Sequence, residues 1–288
     1  MKRTILVLCI TLFMAVGCSQ SKAPLATGEP TIKAVASLTP VHSTATLVPK
    51  ATKSPSITPT IDPVSLFRVS SPLEDIQLSE LKSIISEPFA QTGLELDSGH
   101  HGTDFAFYDW GTLTTIVGLP IHSVLNGKVA GVINNKKPYG NLIIIETRID
   151  TFPLEFRKLL SSPARQTPYP YNPRLQFCAS LKGDSWTIST DSLYLLYGHM
   201  LEPSPLLVGD FVTSGQTIGQ VGNTGMSGNA HLHLEMRWGP GGTEFASMNY
   251  YDTAATQEEM ANYCIWRISG KYVRIDPMAF FNAWDNLP

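Results

Sequence analysis

The chain has 288 residues, of which 43% are hydrophobic and 16% charged, and its net charge is −3. That is enough apolar material for a folded core. The slight acidity, with no Lys/Arg cluster beyond the first three residues, gives no support to nucleic acid as a partner. The first element in chain order is a basic "MKR" followed by the apolar run "TILVLCITLFMAV". At thirteen residues it falls short of the ~20 needed for a permanent bilayer span. Small residues follow it, so residues 1–17 read as a secretory signal peptide.

The small residues run directly into Cys18 as "AVGC", which resembles a bacterial lipobox, with Ala15 where Leu is more usual. The resemblance implies cleavage before Cys18 and lipidation of that cysteine. The chain would then be extracytoplasmic and lipid-anchored to a bacterial cell membrane. A single acyl chain binds only marginally, so a multi-acyl anchor is implied. Residues 18–63 are dominated by Ser, Thr, Pro, Ala and Lys, as in "ATKSPSITPTIDP". Such a stretch cannot bury enough apolar surface to offset its chain entropy, and its prolines keep it extended. It reads as a tether.

Residues 64–288 read as one globular, β-rich domain. "LEDIQLSELKSII" predicts a short helix or turn. Short apolar runs broken by Gly and Pro then predict strands: "IISEPF", "GTDFAF", "LPIHSVLNGKVAGVI", "YGNLIIIET", "SLYLLYGHM", "DFVTSGQTIGQV", "HLHLEMR" and "KYVRID". No long stretch of 3.6-residue period predicts a helical bundle. The expected class is all-β, a compact antiparallel sheet or barrel-like sandwich.

Within these runs the histidines are patterned. "HLHLEMR" alternates, so a strand would turn His231, His233, Glu235 and Arg237 to one face and Leu232, Leu234 and Met236 to the other. In "GHHGTDFAF", His100 and Asp104 lie four residues apart. A flat strand would separate them by about 13 Å, but Gly102 between them permits a bend. His199 closes "LYLLYGHM". Imidazole nitrogen and carboxylate oxygen are ordinary zinc ligands, and a catalytic zinc takes three protein ligands and keeps a position for water. The residues alone do not say which three. His101 reads as a solvated neighbour, and His122 as a packed or surface strand residue. The glycines of "GNTGMSG" lack the following Lys-Ser/Thr of a phosphate loop and read as a turn.

H-x-G-x-D at 100–104, Y-x-H at 197–199 and "GNTGMSGNAHLHLE" at 222–235 together resemble the signatures of lysostaphin/LytM-type zinc endopeptidases. The resemblance covers roughly 83–148 and 193–238 and resumes at "GKYVRIDPMAFF". It implies the family's compact antiparallel β fold, of the duplicated hybrid motif type, with the metal in a groove. It implies hydrolysis of peptide bonds in bacterial peptidoglycan, with stem or crossbridge peptides as substrate. It further implies that His100, Asp104 and His233 hold Zn2+, and that His199 and His231 line the reaction site. Water activation is expected mainly of His231 and stabilisation of His199. A non-catalytic envelope binding or activator protein on the same fold is the alternative, and the five filled positions favour the enzyme.

Two segments depart from the compact pattern, about 149–192 and 239–269. Loops of this length are commonly functional or disordered, and both adjoin strands carrying site residues, so both are expected to wall the groove. Of four cysteines, Cys9 falls in the signal and Cys18 at the lipidation site. Cys178 and Cys264 remain, one in each insertion, an even pair in an oxidising compartment. They read as a disulfide joining the insertions, with two separate buried thiols as the alternative.

Overall fold

The two longest apolar runs form the middle of a sheet that is covered on both faces. The computed structural model describes residues 67–90, 97, 99–160 and 191–287. They belong to one compact unit, Thr58–Pro288. The signal, Cys18 and the whole of the tether lie outside the described residues.

Strands β1 (Ile85–Glu87), β2 (Thr103–Phe105), β9 (Leu232–Pro240), β6 (Asp191–Met200), β5 (Gly140–Arg148), β4 (Gly127–Lys136) and β7 (Phe211–Val212) lie side by side in that order. Every pairing is antiparallel, and β10 (Val273–Ile275) adds a further partner to β9. β3 (Pro120–His122) and β8 (Thr217–Gln220) form a separate two-stranded sheet. The main sheet is open, with β1 and β7 at its two ends, so the barrel-like expectation is corrected.

The alternation of each central strand explains the two covers. Ile143 and Ile145 of β5, Leu193 and Leu195 of β6, and Leu232, Leu234 and Met236 of β9 enter one core. Leu142 and Ile144 of β5 and Tyr194 and Leu196 of β6 enter a second, with Phe245, Tyr263, Trp266 and Tyr272. Strands buried on both faces read as continuous apolar runs, as "LIII" and "LYLLY" do.

Within the segment 73–85, where a short helix or turn is predicted, lies a 3-10 helix, Leu78–Ile84. Three α-helices were not expected. α1 (Leu154–Leu159) and α3 (Pro277–Asp285) meet through Phe156, which packs edge-on against Phe280 and Trp284. α2 (Gln257–Arg267) lies in the second insertion. It opens on a capping box, in which Thr256 Oγ1 accepts from Glu259 N and the Glu259 carboxylate accepts from Thr256 N. Of the first insertion, residues 161–190 lie outside the described residues. The second is fully described and supplies the second core with Phe245, Met248, Tyr263 and Trp266.

Candidate active site

β2 and β9 are hydrogen-bonded neighbours, and their register sets Asp104 directly opposite His233. The close approach depends on Gly102, where a Cβ would lie 2.4 Å from the Leu234 carbonyl oxygen. Any other residue there would push the strands apart. The chain just before β2 brings His100 back over Asp104, so the two residues that a flat strand would separate are in contact. His100 Nε2 lies 3.1 Å from Asp104 Oδ1 and 3.2 Å from His233 Nδ1, and His233 Nδ1 lies 2.6 Å from the same Asp104 oxygen.

The other two histidines stand beside this group. His231, at the foot of β9, places Nε2 3.2 Å from Asp104 Oδ2. His199 is the penultimate residue of β6, with its ring centroid 4.6 Å from that of His231 and 5.7 Å from that of His233. It sits at φ 58°, a left-handed conformation uncommon outside glycine. Two bonds hold it there: its N–H donates to the Tyr139 carbonyl, and its Nδ1–H to the Thr224 carbonyl at 2.7 Å. Thr224 is itself clamped over Gly140, whose missing Cβ would overlap its side chain and backbone within 2.5 Å. All five residues named from the sequence therefore meet in one groove.

Ring orientation follows from what each outer nitrogen touches. His100 Nδ1 donates to the Pro88 carbonyl at 3.0 Å, and His231 Nδ1 to the Asn229 carbonyl at 2.8 Å. With His199 on Thr224, three rings turn Nε2 inward. His233 is turned the other way, with Nε2 donating to Glu235 Oε1 at 3.1 Å and Nδ1 inward. His100, Asp104 and His233 thus form a group that could hold a metal ion, and His199, His231 and His233 form an overlapping one. Only the first contains a carboxylate to offset the charge of a dication. Its inward atoms, two nitrogens and one oxygen, match the donor set of catalytic zinc.

The fields in the groove are uneven. Burial works against the charged forms of Asp104 and His233, but their hydrogen bonds overcome it. Bonds from His100 and His233 hold the Asp104 carboxyl below its usual range. Bonds to Asp104 and Glu235 raise His233 to about 9. Ionised Asp104 therefore brings negative charge to the point where the three inward atoms meet. Burial, then the neighbouring His233 and His231, push His199 down to about 3, so it is neutral near pH 7.

Sequence reasoning missed the layer behind His233. Glu235 and Arg237 share its face of β9 and are completely buried. Burial opposes ionisation of Glu235, yet Arg237 and the His233 bond hold its carboxyl well below the usual range. The alternation of "HLHLEMR" already put both residues on the histidine face, which was the available signal. His101, expected to be solvated, is fully buried and accepts a 2.9 Å bond at Nδ1 from Arg237 Nη2. His122 is a half-buried strand residue paired with Glu74 at 3.1 Å. Tyr251, Tyr263 and Arg267 of the second insertion line the groove, as expected of a wall. Among the described residues, the first insertion contributes none. Cys264 is buried on α2, while Cys178 lies outside the described residues, so the expected pairing does too.

Residues 181–246 match the family model described as Peptidase family M23, a span that includes His199, His231 and His233. No curated protein matches. Among solved structures, the chain is similar to Csd3 of Helicobacter pylori, at 23% identity and a TM-score of 0.31, over 60% of this chain and 30% of that one. It is similar to the catalytic domain of the antimicrobial peptidase lysostaphin from Staphylococcus simulans, at 18% identity and a TM-score of 0.36, over 72% of this chain and 99% of that one. It is also similar to a zinc-containing peptidase from Vibrio cholerae, at 21% identity and a TM-score of 0.32, over 59% of this chain and 36% of that one. The chain thus spans about a third of the Helicobacter and Vibrio proteins and nearly all of the Staphylococcus domain.

Proposed function

We propose that this chain, which matches Peptidase family M23 over residues 181–246, is a zinc endopeptidase that hydrolyses peptide bonds in bacterial peptidoglycan. The observation that carries the reading is the convergence of His100 Nε2, Asp104 Oδ1 and His233 Nδ1 within 3.2 Å of one another, each oriented by a bond or strand register behind it. A zinc ion held by these three residues supplies a Lewis acid for the scissile carbonyl and lowers the pKa of a bound water toward 7.

The remaining work falls to the chain's own groups. His199 is neutral, and its ring proton is committed to the Thr224 carbonyl. It therefore offers the groove a lone pair and no N–H, which suits it to accept the proton of the attacking water. His231 is set between two oxygens beside the three ligands, with Nδ1 2.8 Å from the Asn229 carbonyl and Nε2 3.2 Å from the Asp104 carboxylate. That suits it to steady the developing oxyanion. The contacts thus support the reverse of the order read from the sequence. Tyr251, which is exposed, and Arg267 give the groove a rim for the peptide. Residues 1–63 support a location outside the cytoplasm, with Cys18 carrying the lipid anchor.

Digestion of purified peptidoglycan, with mass analysis of the released fragments and metal content measured on the same sample, tests the reading. One zinc per chain and newly exposed peptide termini are expected. A zinc-loaded chain that binds peptidoglycan and releases nothing would replace the enzyme with a non-catalytic envelope-binding protein.

A further inference from the structure

We infer that α2, the helix of the second insertion, is a positioning element for the site: through Trp266 and Arg267 it fixes the Glu235 carboxylate, which in turn fixes the ring of His233. The inference rests on the zinc reading above and adds to it a role for a segment outside the three motifs. Glu235 Oε1 accepts from His233 Nε2 at 3.1 Å, from Tyr139 Oη at 2.6 Å and from Arg267 Nη1 at 3.3 Å. Its Oε2 accepts from Trp266 Nε1 at 3.1 Å and from Arg237 Nε at 2.8 Å. Two of these five partners belong to the last turn of α2.

The same turn holds the counter-charge. Arg237 Nη1 donates to the Trp266 carbonyl at 3.0 Å, and the guanidinium carbon lies 4.9 Å from the centre of the Trp266 ring. Glu235, Trp266 and Arg237 are each at most 1% exposed. A helix serving only as an apolar cover would send none of these polar groups inward. Five donors converging on one carboxylate fix its plane, and a histidine bonded to a fixed carboxylate keeps both its tautomer and its ring angle. Such outer partners typically govern metal affinity by about 10–100-fold. His233 requires this support because its inward atom is Nδ1, the nitrogen nearer the backbone, and small rotations of the ring move it off the common centre.

Zinc competition with a chromophoric chelator on the full chain tests this without reference to hydrolysis. Trp266→Phe keeps an aromatic side chain, smaller than the indole, and removes the N–H; it should hold zinc about tenfold or more weakly. Arg267→Met removes the second donor from α2 and should act in the same direction, covering the case in which Trp266→Phe does not fold. Glu259→Gln is the control. It breaks the 2.8 Å pair with Lys136 at the opposite end of α2, touches no partner of Glu235, and should leave affinity within about twofold. Circular dichroism of the zinc-free forms confirms that each is folded. Zinc held by Trp266→Phe and Arg267→Met as tightly as by the parent overturns the inference. So does equal weakening in Glu259→Gln, which would mean that α2 acts through general stability. Failure of the unmodified chain to bind zinc is a separate result and removes the reading beneath it.

Discussion

Replacing Glu235 with Gln exchanges one carboxylate oxygen for an NH2 group and leaves the side chain its size. The site has no place for that group. Oε1 faces donors from His233, Tyr139 and Arg267, and Oε2 faces donors from Arg237 and Trp266. Whichever way the amide turns, it opposes at least two donors. The substitution also strips the carboxylate partner from Arg237, which is 1% exposed. Removing one member of a buried pair costs about 3–5 kcal/mol, against a total stability of about 5–15 kcal/mol for a domain. At about 2–4 °C per kcal/mol for a domain of this size, the unfolding midpoint should fall by about 6–20 °C. The assay is thermal and urea unfolding with chelator present throughout, so that loss of bound metal does not enter the difference. The pH dependence has a definite sign. The Glu235 carboxyl is held well below its ordinary value of 4.5 in the folded chain. Its contribution is therefore present above the unfolded value and lost as pH falls through the folded one. The gap between parent and variant should narrow as the medium is acidified below about pH 4.5. A midpoint within about 2 °C of the parent at pH 7 would refute the claim that Glu235 is an ionised hub.

Three further outcomes are expected. His199→Ala and His231→Ala should each retain zinc and lose about 10²–10⁴-fold in hydrolysis, while His233→Ala should lose the metal as well; equal zinc loss in all three, measured by elemental analysis, would break the division between ligands and proton-handling groups. Cys18→Ala should abolish lipid labelling and shift the chain from the detergent to the aqueous phase, and unchanged partitioning would dispose of the lipobox. Cys178 and Cys264 should resist alkylation until reductant is added, since a disulfide closing a loop of about 86 residues stabilises by about 4.6 kcal/mol in the chain-entropy view; two reactive thiols in protein purified from an oxidising compartment would exclude the bond.

The legible part of the molecule is the part governed by period. "HLHLEMR" has a strict two-residue alternation, and β9 carries its leucines into one core and its histidines into the groove. His100 and Asp104 were legible as a pair because Gly102 stood between them, though what Gly102 provides is room for the Leu234 carbonyl. The helices were not read, although their signals were present. Thr256 and Glu259 have capping-box spacing, and "DPMAFF" sets an N-cap Asp276 before Pro277 at the first turn. α2 was missed because it is short and its apolar residues mark no clean stripe. His101 was misjudged because nothing local announces that Arg237, 136 positions later, will cover it. That contact exists only once β2 lies against β9, and sequence spacing carries no information about it.

The pairing of β2 with β9 also sets an order of completion. Asp104 and His233 are separated by 129 positions, so neither strand can offer the triad until the intervening chain has been made and folded back. Non-local pairings of this kind are slow to form, because loop closure must precede the contacts that reward it. A nascent or translocating chain delivered from its N-terminus therefore holds His100 and Asp104 as an incomplete pair until His233 follows, 129 positions after Asp104. It gains His233 late, and Trp266 and Arg267 of α2 later still. On the reading advanced above, hydrolytic competence waits until His233, Trp266 and Arg267 have all left the machinery that made them.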